Sequence, residues 1–159
     1  MEVFQIKLSS RINYLITFFL IIAIFSLLFS YAFTNSILTA FAFVLFAMAT
    51  TYYITKITAT VPTIWTVSKT EIYVEWKGKF IFQKERVDLV IRWDEIKAYK
   101  LSSDKVFDRF KLILKDGTIR RYWHDNLITR DDYDKFITYF IMRVKQHNQQ
   151  EQEKSATPI

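Results

Sequence analysis

The chain has 159 residues with 22 basic and 16 acidic side chains, and it contains no cysteine. Structural disulfides and thiolate metal sites are thereby excluded. The net charge of +6 is spread along the whole chain, and residues 56–159 carry 20 Lys and Arg against 15 Asp and Glu. That balance suits a domain held near an anionic leaflet better than a dedicated nucleic-acid binder, so no nucleic acid is expected as a partner.

In chain order, the first feature is a stretch from Ile12 to Thr55 without any Asp, Glu, Lys, Arg or His. Two segments within it, residues 14–33 and 37–55, each approach the ~20 apolar residues that cross ~30 Å of hydrocarbon at ~1.5 Å per residue. A soluble domain of this size has too little mass to cover two consecutive helices that are apolar on every side. Ser30-Tyr31-Ala32 fits a signal-cleavage site, but the apolar run before it exceeds the ~7–15 residues of a signal peptide and a second run follows at once. Residues 1–62 are therefore read as an N-terminal segment and a two-helix transmembrane hairpin. Only Thr34, Asn35 and Ser36 separate the spans, so the helices run antiparallel. Lys7 and Arg11 before the spans, with Lys56 and Lys69 after them, place both termini in the cytoplasm. Neither span holds an ionisable side chain, which favours an anchor or assembly surface over an ion or substrate path.

Residues 63–147 are read as a cytoplasmic domain. From Thr63 to Trp123 the chain is rich in Val, Ile, Phe, Tyr and Trp, alternates in polarity and is punctuated by turn residues, which is the strand signature. Seven strands are expected: Ile64–Ser68, Ile72–Trp76, Phe80–Gln83, Leu89–Arg92, Ile96–Leu101, Phe107–Lys115 and Thr118–Trp123. Trp93-Asp94-Glu95-Ile96 reads as a strand corner, and Asp116-Gly117 as a two-residue hairpin loop. Seven short antiparallel strands hide their edges best as a closed barrel or two packed sheets.

The apolar period then changes from two to 3.6. Thr129 is a fitting N-cap, and Asp131, Asp132 and Asp134 place negative charge at the positive end of a helix dipole. Tyr133, Phe136, Ile137, Phe140, Ile141 and Val144 form one stripe that would dock on the sheet. The polar residues 148–159 read as a disordered tail.

Two apolar helices, the "IRWDEI" corner, the "FKLILKDGTIRRYW" hairpin and the "NLITRDDYDKFITYFI" helix together resemble bacterial two-span membrane proteins with a C-terminal pleckstrin-homology-like (PH-like) domain, in particular the YcxB-like family. The resemblance covers almost the whole chain and rests on patterns of hydrophobicity and turns. It implies a membrane α-helical hairpin followed by a mainly β, PH-like domain capped by one helix, located in the bacterial inner membrane. Such a domain implies recognition more than catalysis. The expected work is binding or scaffolding a protein partner, or self-association, beside the lipid bilayer. An anionic-lipid-sensing module is the alternative, followed by an enzyme or an accessory subunit of membrane transport. No cofactor is expected.

Two groups of residues are candidates for contact. Lys77, Lys79, Lys84 and Arg86 resemble the basic pattern with which some PH domains hold phosphoinositides, and their blander reading is a solvated hairpin tip that attracts anionic lipid. Arg120, Arg121 and His124, interleaved with Tyr122 and Trp123, are candidates for an anionic ligand or a partner. His124 and Asp125 are adjacent, and adjacent strand residues point to opposite faces, so Asp125 cannot orient that imidazole as a catalytic pair requires. A metal site is not expected from one His here and His147 near the tail. A two-residue loop at Asp116-Gly117 would set Leu114 opposite Ile119 and send Arg121 inward, whereas a bulge would send it outward.

Overall fold

The computed structural model describes residues 1–32, 37–80, 88–128 and 130–156. The chain divides into two compact units. One comprises Ser9–Val61 and Lys79–Glu85, and the other Met1–Leu8, Pro62–Gly78 and Arg86–Ile159.

In the first unit, α1 spans Arg11–Ala32 and α2 spans Ile37–Ala59. Among the described residues these two helices are long and apolar enough to cross a membrane, and only 11% of each apolar window is buried. Phe19, Leu27, Leu38 and Phe46 are all more than half exposed. An exposed apolar surface of that extent marks a membrane or protein-interaction surface. The helices meet through Phe25, whose ring stands edge-on to Phe43 at 5.7 Å, and through a hydroxyl pair, Thr58 and Thr17, at 3.3 Å. At one end the Ser10 N–H donates to the Ala59 carbonyl at 2.8 Å. Thr34–Ser36 lie outside the described residues.

The second unit is an antiparallel sheet of seven strands: β1 Glu2–Ser9, β2 Thr60–Val67, β3 Glu71–Trp76, β4 Leu89–Arg92, β5 Ile96–Ser103, β6 Phe107–Leu114 and β7 Ile119–Asp125. The order across the sheet is β4-β3-β2-β1-β7-β6-β5. β1 corrects the expectation that the chain before the first span belongs with the membrane hairpin. Phe4, Ile6 and Leu8 are buried while Val3, Gln5 and Lys7 are exposed, a period of two that makes β1 a strand in the middle of the sheet. Of the expected strand Phe80–Gln83, Phe80 is not in a strand and 81–83 lie outside the described residues.

The expected closed barrel is not formed, because β4 and β5 stand at opposite ends of the strand order without pairing. These two strands are nonetheless consecutive in sequence, joined by the 3-10 turn Trp93–Glu95, so the sheet curls until its ends meet at one corner. That corner is held by Trp93, whose N–H and indole donate to the Thr70 and Ser68 carbonyls at 3.1 and 3.2 Å. The last helix, α3, spans Tyr133–Ala156 and fills the interior. Phe136 and Phe140 are fully buried, and their rings lie 4.6 Å from Trp65 of β2 and 5.2 Å from Tyr99 of β5 respectively. Phe110 of β6 contacts both, and Phe4 of β1 meets Phe136 at 5.7 Å. α3 therefore supplies the wall that strand pairing leaves out. It also runs on to Ala156, past the point where low apolar content suggested a tail. Gln, Glu, Lys and Ala propagate a helix well, and no Gly or Pro interrupts before Pro158.

The β6–β7 hairpin decides which side chains face inward. Its loop is three residues, Lys115–Gly117: the Gly117 N–H donates to Leu114 O at 3.0 Å and the Leu114 N–H to Thr118 O at 2.9 Å. Gly117 sits at φ +86°, the left-handed conformation that closes a bulged hairpin of this length. The bulge moves the register by one from the two-residue expectation, so Ile113 pairs with Ile119 and Lys111 with Arg121. Replacing Phe140 with Ala should lower the unfolding free energy by about 3–5 kcal/mol in a denaturant titration. A loss below ~1 kcal/mol would mean that α3 does not carry the core.

Candidate functional site

Strand alternation and register together build a charged row that neither segment reveals alone. Phe110 and Leu112 of β6 are buried, so Arg109, Lys111 and Ile113 between and beside them face away from α3. Lys100 of β5 pairs with Lys111, and Lys111 with Arg121 of β7. Residues directly opposite share a face with Cβ atoms about 5 Å apart. Three cations thus stand side by side across three strands, and none of the ion pairs among the described residues includes them. One row along, Arg109 lies over Trp123 at 5.3 Å and donates from Nε to Ser102 Oγ at 3.0 Å. One row the other way, Ala98, Ile113 and Ile119 are apolar, and Ile119 is 44% exposed.

The opposite face of β7 carries His124. Its side chain is 5% exposed, and Nε2 lies 3.0 Å from Oδ2 and 3.1 Å from Oδ1 of Asp131, also 5% exposed. A carboxylate only accepts, so Nε2 carries the proton that bridges them. Nδ1 has no hydrogen-bond partner among the described residues and faces Asp108 at 3.7 Å. The Tyr133 ring stacks flat on the imidazole, with 4.2 Å between centroids. Asp131 also accepts the Lys7 N–H at 2.9 Å and the Tyr133 N–H at 3.2 Å. Burial works against its charge, but the His124 bond, the Lys7 N–H, the nearby imidazole and the Tyr133 N–H together hold its carboxyl below the ordinary 3.8. Burial, reinforced by Asp108, Asp134 and Asp131, pushes the Tyr133 phenol up.

The structure therefore separates the residues that the sequence grouped. Arg120 and Arg121 are exposed, and His124 is buried on the face of β7 that Arg121 does not share. Arg120 is the one that falls in the inner column, next to Tyr122, whose phenol burial drives up to about 12 while Arg120 pulls it down. Asp125 does not serve the imidazole; it accepts the Leu127 N–H at 2.8 Å. The partner of His124 is Asp131, seven residues on, and only a fold that returns the chain from β7 to α3 brings them together. Lys77 and Lys79 are both exposed, with Lys77 paired to Glu75, while Lys84, Arg86 and the expected cap Thr129 lie outside the described residues. Sequence reading missed Lys100 and Lys111, whose signal is the register alone. A groove of about 350 Å3 beside Asp108, bordered by Ser102, Tyr133 and Asp134, is lined by neither Arg121 nor His124.

Compared with family models, curated proteins and solved structures, the chain matches none.

Because folding favours the charged form of Asp131, its stabilisation is complete above the ordinary carboxylate value and drains away as pH falls through the lower folded value. Asp131→Asn should cost about 3 kcal/mol at neutral pH and flatten the loss of stability below about pH 4. Unfolding titrations across that range check both; equal acid limbs in the two proteins would contradict the assignment.

Proposed function

We propose that the chain is an integral membrane protein of the bacterial cytoplasmic membrane that presents a PH-like recognition domain on the cytoplasmic side. The observation that carries this reading is the junction between helices and sheet. β1 ends at Ser9 and α1 begins at Arg11, while α2 ends at Ala59 and β2 begins at Thr60. β1 and β2 are neighbours at the centre of the strand order, so the two apolar helices leave the sheet through adjacent central strands with no linker. A domain attached in this way works where the helices end, and the helices suit hydrocarbon.

Recognition is favoured over catalysis by how the polar groups are used. The imidazole of His124 is committed to Asp131, which in turn ties down the backbone of Lys7 and Tyr133. Arg121 lies across the sheet from that pair. The edge of β5, eight residues long and last in the strand order, offers a backbone template on which a segment of a protein partner or of a second copy can add as a strand. The membrane part of the proposal is tested by alkaline carbonate extraction combined with protease digestion of inverted vesicles and intact spheroplasts. The expected result is a chain that stays in the pellet and loses its C-terminal domain to protease only in inverted vesicles. Release by carbonate would overturn the membrane reading, and cleavage in spheroplasts would reverse the orientation.

A further inference from the structure

The cation row on the outer face of β5, β6 and β7 has a cost that the fold does not require. Like charges set directly opposite on a sheet repel. The row could be avoided by any neutral side chain at Lys111, which stands between the other two. Instead the face adds Arg109, and between Ala98 and Ser102, Arg109 and Ile113, and Ile119 and Trp123 it holds no acidic residue. β1, the next strand beyond β7, adds Lys7 on the outward side, since Phe4, Ile6 and Leu8 take the inward one.

We infer that this outer face of β5–β6–β7, centred on Lys100, Lys111 and Arg121, binds the anionic surface of a phospholipid leaflet. The inference rests on the membrane reading above and names the ligand of that same domain. Two features select lipid over other polyanions. The row beside the cations is apolar, with half-buried Ile113 next to exposed Ile119, and Trp123 lies on the other side of the cations. That mixture of cation, aliphatic and Trp side chains suits the headgroup and glycerol level of a bilayer. A phosphodiester chain would gain nothing from the isoleucines. The second feature is tethering: with no linker between span and strand, the sheet is kept near a leaflet at high effective concentration, so a few charges suffice where a free domain would need more. This places the anionic contact away from the Lys77–Arg86 segment that the sequence suggested.

The test uses the full chain in nanodiscs of phosphatidylcholine with or without phosphatidylglycerol, both carrying a nitroxide-headgroup lipid. The chain has no cysteine, so Ala98→Cys, on the same face and one row from the cations, takes a single bimane label. Bimane quenching should be strong with phosphatidylglycerol and weak without it. It should fall as salt shortens the screening length to ~3 Å at 1 M. Lys111→Gln should reduce the quenched-to-unquenched ratio about fivefold, and K100E/K111E/R121E should bring it to the phosphatidylcholine level. The neutral set K100Q/K111Q/R121Q, with its circular dichroism checked, serves if the reversed set misfolds. Equal quenching in both discs, or full quenching with the triple variants, would overturn the inference while leaving the membrane reading intact. So would nucleic acid or an acidic protein bound to wild-type discs and lost from the variants while quenching stays low. A chain that never enters the discs overturns the membrane reading and this inference with it.

Discussion

A single carboxylate holds together three parts of the β unit that are remote in sequence. Asp131 receives the Lys7 N–H from β1, the imidazole of His124 from the end of β7, and the first N–H of α3 from Tyr133. Its neighbour Asp132 repeats the pattern, accepting the Gln5 N–H at 3.1 Å and giving its own N–H to Gln5 O at 2.9 Å. Without these bonds, the Gln5 and Lys7 N–H groups of a central strand would lose the partners that the helix start provides. The acidic cluster before α3 is thus more than a complement to a helix dipole. It is how a helix is seated over a sheet whose own strands do not close.

That seating explains why the core is so aromatic. An open sheet curled at the Trp93 corner leaves a volume wider than aliphatic side chains fill from one side, and Phe136 and Phe140 reach across it to Trp65, Phe110, Tyr99 and Trp93. Most contacts are edge-on or tilted, the arrangement that ring quadrupoles favour. The helix stripe and the strand alternation are complementary halves of one core. Each was readable because each follows a local period.

What was legible in the sequence follows from that distinction. The apolar spans, the Trp93 corner, strands β3 to β7 and the helix stripe are local patterns, and the residues show them directly. β1 was hidden because a six-residue alternation beside a long apolar run looks like its flank, and only pairing on both sides makes it a central strand. The His124–Asp131 pair was hidden because it depends on how the chain returns after β7. The direction of Arg121 turned on one residue of loop length: Asp116-Gly117 announces a hairpin, but whether Gly117 closes a two- or three-residue loop depends on strand twist and packing. The candidate site was therefore legible in kind, as basic residues near Trp123, but not in composition.

The same one-residue shift separates two chemistries. Had the loop been two residues, Arg121 would have entered the aromatic interior, where its charge needs a buried partner. The bulge instead turns Arg121 outward beside Lys111 and puts Arg120, Tyr122 and His124 in the inner column, where Arg120 stays exposed at the hairpin end and the two rings are buried in stacks. Gly117 has open space around it, so its role is the backbone angle alone. One glycine conformation thus decides that Arg121 leaves the inner column and that three cations line up on the face turned away from the core. The repulsion within that row is a standing cost to the folded state that an anionic surface would remove.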